Sequence, residues 1–260
     1  MNCILKSSNN LYFLPLVFFI LFSGGCGRSL SLGEDGLMYK GRRPYTGEIE
    51  DRYSVFDPSM ERHYYRGVLV LELHLDRDGD SSYLALYNRS GVLRMEKTWN
   101  QGLIQRITSF DDYGRMRSEK RFDLFGALEK RSEFDYDPLG SVSVQREFDS
   151  RDRLSFHSEF SGDRQILSVK HYSEGVLTRE IVHEKQALKR EDRYENGRLL
   201  RSERFNDRGH PEELQYFGRD GQVEKFYRFE YNYSRGGALK TVTVTDSEGR
   251  RSSHSRIPDL

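Results

Sequence analysis

The chain has 260 residues, 36% hydrophobic and 32% charged, with 41 lysines and arginines against 41 aspartates and glutamates. A single compact core of this length calls for more apolar residues, while sixteen tyrosines and sixteen phenylalanines are too many for a disordered chain. The balanced charge gives no argument for nucleic acid or for an anionic membrane surface as partner.

At the start, Lys6 precedes a twelve-residue apolar run at 11–22 that includes Pro15. The run is too short to span a bilayer and has the length of a signal-peptide core, so an N-terminal signal helix is expected here. It ends in Ser23-Gly24-Gly25-Cys26-Gly27. Small residues leading to a cysteine resemble a bacterial lipoprotein signal, although Ser23 stands where leucine is usual. The resemblance implies that residues 1–25 are removed, that Cys26 is lipidated, and that the protein is exported to the bacterial cell envelope and held to a membrane by lipid. An ordinary cleaved signal and a retained anchor are the other readings of these residues. Removal of 1–25 takes Cys3 away and leaves one thiol, so the mature chain can form no internal disulfide. Residues 26–35 then read as the lipidated cysteine and a flexible tether.

Next comes Gly36-Leu-Met-Tyr39-Lys-Gly41-Arg-Arg-Pro44-Tyr45-Thr46-Gly47-Glu-Ile49. A tyrosine, a short turn and Pro-Tyr-Thr-Gly resemble the opening of the MORN-variant repeat proteins, including the YwqK-type antitoxins. Tyr194-Glu-Asn196-Gly197 and Phe217-Gly-Arg-Asp220-Gly221 resemble the hairpin turns of that family. Phe110-Asp-Asp-Tyr-Gly114-Arg is similar to the tyrosine-aspartate repeats of Rhs-type toxin shells. The resemblance implies a β-hairpin repeat protein and, for the antitoxins, neutralisation of a cognate toxin by binding.

From there the chain keeps a beat. Glycines stand at 67, 79, 91, 102, 114 and 126, then at 140, 175, 197, 209, 221, 237 and 249. Weaker turns fall at Arg151-Asp152, Gly162-Asp163 and Gln186-Ala187. A period of about twelve residues holds one strand and one turn, the rhythm of an all-β protein. Gly114, Gly126, Gly197, Gly209 and Gly221 are assigned to turns, where glycine tolerates positive φ. The expected fold over 36–250 is an elongated antiparallel meander of short β-hairpin repeats, a single-layered twisted sheet or open solenoid, with 251–260 as a C-terminal tail. Two-residue alternation places Met116, Ser118, Lys120 and Phe122 on one face, and likewise Leu199, Arg201, Glu203 and Phe205.

A glutamate recurs three residues after an apolar position, at Glu96, Glu119, Glu180, Glu191 and Glu203. It reads as a solvated belt paired with arginine and lysine, since acid–base catalysis needs carboxylates made unequal by environment. No nucleophile elbow, phosphate loop or zinc-protease motif occurs, and the seven histidines are scattered singly. Asp76-Arg-Asp78-Gly79-Asp80 departs from a calcium loop and reads as a hairpin turn. No catalytic residue, metal or cofactor is assigned.

The local excess is Phe226-Tyr227-Arg-Phe229-Glu-Tyr231-Asn-Tyr233. Tyr227, Phe229, Tyr231 and Tyr233 share a face and are candidates either for closing the last repeats or for binding a partner. The expected function is that of a non-enzymatic, lipid-anchored envelope protein binding an unidentified protein partner. An antitoxin or immunity protein directed at one toxin is the alternative.

Overall fold

A computed structural model describes residues 2–4, 29–52 and 59–257, with the backbone alone described at 2–4, 51 and 52. The signal core at 11–22 and Cys26 lie outside the described residues. The fold is all-β, an antiparallel meander, and no helix occurs among the described residues. By its contacts the chain divides into two units, Met1–Arg131 and Ser132–Leu260.

In the first unit, β1 (Asn2–Ile4), β2 (Leu30–Leu32), β3 (Met38–Lys40) and β4 (Arg43–Pro44) are short. They precede β5 (Gly47–Arg52), β6 (Ser59–Tyr65), β7 (Val68–Leu75), β8 (Ser81–Tyr87), β9 (Leu93–Asn100), β10 (Leu103–Phe110) and β11 (Met116–Phe122). From β5 onward each strand pairs antiparallel with the next. Strand β12 (Leu128–Tyr136) carries the chain into the second unit. There follow β13 (Val142–Phe148), β14 (Leu154–Phe160), β15 (Ile166–Ser173), β16 (Val176–Glu184), β17 (Ala187–Glu195) and β18 (Arg198–Phe205). The last are β19 (Pro211–Phe217), β20 (Val223–Tyr233), β21 (Leu239–Asp246) and β22 (Arg251–His254). These too pair in sequence order.

Two kinds of turn set the beat. Asn196-Gly197, with φ of 51° and 77°, is a two-residue turn in which both residues are left-handed, and Lys185-Gln186 repeats it at 50° and 67°. The other kind takes five residues and opens mostly on an aspartate or asparagine, but on Ser161, Gly218 and Ser234 in three cases. At Asp111 the backbone closes through Gly114 N–H to Asp111 O at 3.1 Å and Asp111 N–H to Arg115 O at 2.9 Å. The Asp111 carboxylate oxygen Oδ1 accepts from the Tyr113 and Arg115 amides, both at 2.9 Å. Asp76, Asn88, Asp123, Asp137, Asp149, Asn206 and Asp246 cap their turns in the same way. Asp220-Gly221 belongs to this second kind and not with Asn196-Gly197, because Gly221 N–H closes on Gly218 O at 3.0 Å. In the turn read at Gly162-Asp163, the left-handed residue is Arg164, at φ 65°.

A bulge follows the turns and corrects the expected faces. Ser118 is opposite Ser109, but Met116 is opposite Phe110, so Arg117 is extra. Ser109 and Phe110 point to opposite faces, and therefore Ser118 and Met116 do as well. The same step separates Leu199, opposite Tyr194, from Arg201, opposite Arg193. Strand pairing also runs past the expected bounds of the repeats. Strand β2, in the segment read as tether, pairs with β3, and β22, in the segment read as tail, pairs with β21. In both places a closed turn returns the chain: Gly33 N–H bonds Leu37 O at 2.8 Å, and Gly249 N–H bonds Asp246 O at 3.0 Å.

Few side chains are fully buried, and most strand residues are half-buried on both faces. The first unit has a core of Met38, Tyr45, Ile49 and Tyr64, with Leu30, Leu69 and Leu71 against it. The second has Leu214, Phe229, Val242 and Val244, flanked by Tyr216, Tyr227, Tyr231, Leu239 and Ile257. Low hydrophobicity is thus met by concentrating apolar contact in small clusters.

Candidate interaction surface

The aromatic stretch lies on β20, which pairs with β19 and β21. Tyr227, Phe229 and Tyr231 do share a face, and that face belongs to the second unit's core, where Phe229 is 7% exposed. Tyr231 stands opposite Val242 and Phe229 opposite Val244. The Tyr231 hydroxyl donates to the Pro211 carbonyl, and burial pushes its phenol up to about 12. Tyr233 stacks on Tyr231 and on His210, with centroids 6.2 and 6.0 Å away, and its hydroxyl lies 2.9 Å from His210 Nδ1. Arg208 covers the Tyr233 ring at 4.0 Å. The alternate residues Arg228, Glu230 and Asn232 are the exposed ones. Arg208, His210 and Pro211 carry no signal of this role in the sequence, because their contact depends on the β19–β20 pairing.

The glutamates form a second constellation, and the expected solvated belt is corrected. Directly opposed residues in an antiparallel ladder share a face. One such column in the first unit runs Arg62, Glu72, Ala85, Glu96, Thr108, Glu119. Ala85 and Thr108 are almost fully buried and leave room for the longer acids beside them, and Glu119 is only 9% exposed. Each acid has a donor: Arg62 Nε reaches Glu72 at 2.8 Å, the Tyr83 hydroxyl reaches Glu96 at 2.8 Å, and Arg121 Nε reaches Glu119 at 2.6 Å. In the second unit Glu191 stands opposite Glu203. Arg179 grips Glu191 with Nε at 3.1 Å and Nη2 at 3.0 Å, and Arg193 Nε adds a bond at 2.9 Å. Burial works against the charge on Glu191, but the Arg179 and Arg193 guanidiniums outweigh it and hold its carboxyl below the usual range. Glu180 is on the other face, opposite Asp192, with Lys170 and Arg190 each 3.4 Å away. Long basic side chains lying over the carboxylates are what close the belt to solvent. Glu191, held in this manner, is ionised near neutral pH and has no proton to give.

The Tyr39 to Gly47 motif builds the first unit's core. Tyr39 donates to Asp35 at 2.6 Å, Tyr45 is buried, and Thr46 Oγ1 accepts from the Arg66 amide at 3.0 Å. Among the turn glycines, φ is 76° at Gly114, 81° at Gly126, 77° at Gly197, 75° at Gly209 and 80° at Gly221. Asp76 accepts from the amides of Asp78 and Asp80 at 3.0 and 2.9 Å, so its carboxylate is spent on the turn. His171 meets Phe156 edge-on at 5.5 Å. Among the described residues no three histidine, cysteine or acidic side chains are grouped to hold a metal. A shallow depression of about 270 Å³ is lined by Tyr227, Val244, Asp246, Arg250, Ser252 and His254, among others, and Arg250 there is paired with Asp246 at 2.8 Å.

No protein-family model matches this chain, and no curated protein matches it in sequence. Among solved structures, a porin-like protein from Bacteroides uniformis is similar at 10% identity and a TM-score of 0.22, over 80% of this chain and 93% of that one. The TcdB2-TccC3-TEV structure is similar at 10% identity and 0.26, over 86% of this chain and 15% of that one. A Staphylococcus aureus TarM mutant is similar at 11% identity and 0.24, over 42% of this chain, which spans about a fifth (19%) of the TarM chain. At these scores the neighbours carry no argument about what this chain does.

Proposed function

We propose that this chain is a non-enzymatic, lipid-anchored protein of the bacterial envelope whose β-repeat surface binds a protein partner. The observation that carries this reading is the half-open state of the strands. Strand after strand presents polar side chains on both faces, as Arg146 and Glu147 do on β13, which is half-buried along its whole length. Repeats of this kind create side-chain surface without enclosing a reaction chamber, and such surface serves binding. In the aromatic stretch Phe229 is buried while Tyr227, Tyr231 and Tyr233 are half-buried, so contact would use these tyrosines together with the exposed residues between them. The anchor rests on Cys26 and the small residues before it.

An antitoxin role is the second reading, favoured by Pro44-Tyr45-Thr46-Gly47 at the first core. The two readings separate by capture of the tagged full-length protein from detergent-solubilised membranes. A partner recovered in equal amount supports binding, a partner whose toxicity this protein suppresses identifies the antitoxin, and recovery of no partner sinks both. For the anchor, Cys26→Ser should abolish fatty-acid labelling and detergent partitioning, because the several chains of a lipoprotein hold where one does not. Unchanged labelling would refute it.

A further inference from the structure

The turn that joins β11 to β12 differs from the others of its kind in the first unit. The two central positions carry Arg77-Asp78, Arg89-Ser90 and Asp112-Tyr113 in the other three, and Leu124-Phe125 here. Leu124 is 71% exposed and Phe125 89%. The turn beneath them is closed: Asp123 Oδ1 accepts from the Phe125 amide at 2.8 Å and the Ala127 amide at 2.9 Å, and Gly126 N–H reaches Asp123 O at 3.1 Å. Leu103, itself 41% exposed, lies against the same turn, with its Cδ2 3.7 Å from where a Cβ on Gly126 would stand. Two large apolar side chains are therefore held in water at the tip of a well-bonded hairpin. Tyr113, at the neighbouring turn, has Arg115 over its ring at 4.8 Å.

We propose that the Leu124-Phe125 tip inserts into the interfacial layer of a lipid bilayer. The area decides against a second copy of the chain. Leucine and phenylalanine at one tip offer roughly 300 Å² of apolar surface, whereas a stable protein interface takes about 800 Å² per partner. A bilayer accepts a small wedge as a second signal beside another attachment. Two exposed arginines beside the tip can meet anionic headgroups. Arg106 and Arg121 stand opposite each other next to the tip and both are exposed, while the Asp123 carboxylate, still an anion, is held in the turn by two amides. Arg121 also bonds Glu119, and Glu129 and Asp135 are the exposed acids of β12, Glu129 being the one beside the turn.

The insertion rests on the attachment read at Cys26, but its test does not, because a separate tether stands in for the lipid. The full chain is held on phosphatidylcholine–phosphatidylglycerol vesicles by a C-terminal hexahistidine tag and nickel-chelating lipid. Phe125→Trp in a Trp99→Phe background places the only tryptophan at the tip. Its emission should shift to shorter wavelength on vesicles and be lost with lipids brominated near the top of the acyl chain. Tyr113→Trp in the same background should show neither. Should Trp99→Phe fail to fold, the same quenching is read as the difference between Phe125→Trp and the parent, both keeping Trp99. A tip that stays open to aqueous quencher while the protein is on the vesicles overturns the proposal. So does a blue shift that needs no lipid and grows with protein concentration, which would mark contact between copies.

Discussion

The ring of Tyr45 folds back over Gly47, where a Cβ would stand 1.7 Å from the Tyr45 Cζ. Gly47→Ala must therefore drive Tyr45 out of the cluster with Met38, Ile49 and Tyr64. The expected loss is about 1–3 kcal/mol in denaturant unfolding. In a Tyr45→Ala background the same substitution should cost little, because the clash is gone. Equal losses in both backgrounds would show that the two residues are not coupled.

Left-handed positions without glycine carry removable strain. Gln186 sits at φ 67° and Arg164 at φ 65°. Gln186→Gly and Arg164→Gly should each raise stability by about 0.5 kcal/mol or more, since a side chain in this region costs roughly 1–2 kcal/mol. Gly197→Ala should lose on the order of 1 kcal/mol by the reverse argument. A fall in thermal midpoint for both glycine variants would contradict the turn geometry.

Neighbouring acids in one turn should behave differently. Asp111 caps two amides and also holds Arg115 Nε at 2.8 Å, while Asp112 only pairs with Arg94 at the surface. Asp111→Ala should clearly lower the thermal midpoint and Asp112→Ala leave it close to unchanged. Calorimetry on the two variants reads the difference directly.

Acid should destabilise the second unit partly through Glu191. Its carboxyl is depressed in the folded chain, so its contribution is present above the unfolded value of about 4.3 and is lost as pH falls through the folded value. Arg179 faces it from β16, Arg193 from its own strand, and Glu203 stands opposite with Arg201 at 2.9 Å. Glu191→Gln should unfold more easily at pH 7 and show a flatter loss of stability below pH 4. A slope identical to that of the parent would remove Glu191 from the account.

Alkali acts on Tyr231 with the opposite sign. Its phenol is raised to about 12, so the stability it brings is present below the unfolded value of about 10 and fades as pH rises towards 12. Tyr231→Phe removes both the bond to Pro211 and the ionisation, and should lower stability at pH 7 while flattening the alkaline slope. Tyr231→Ala should cost more, because it opens the core around Val242 and Phe229.

The repeat was legible because glycine marks the turns, and turns at a constant spacing leave room for little except strands. The kind of turn was less legible. Asp220-Gly221 and Asn196-Gly197 look alike as dipeptides, and only the hydrogen bonds to Gly218 and Gln222 tell them apart. Alternation failed at Met116 because the residue inserted at Arg117 shifts parity without changing composition. The glutamates misled for a related reason. Hydropathy reads Glu119 and Glu191 as surface residues, whereas their burial comes from arginines lying over them. The Tyr233 cluster with His210 and Arg208 joins residues more than twenty positions apart, which no local pattern contains.

Pairing between sequence neighbours has a kinetic meaning. From β6 to β11, and again from β13 to β22, each strand finds its partner across one short turn. Loop closure is then cheap at every step, contact order is low for an all-β protein, and a growing chain can add strands one after another as it emerges. The same arrangement makes length negotiable. Deleting one strand would reverse the direction of everything after it, but deleting or duplicating two adjacent strands restores direction and edge. Such chains can change size in steps of about two repeats without rebuilding what remains.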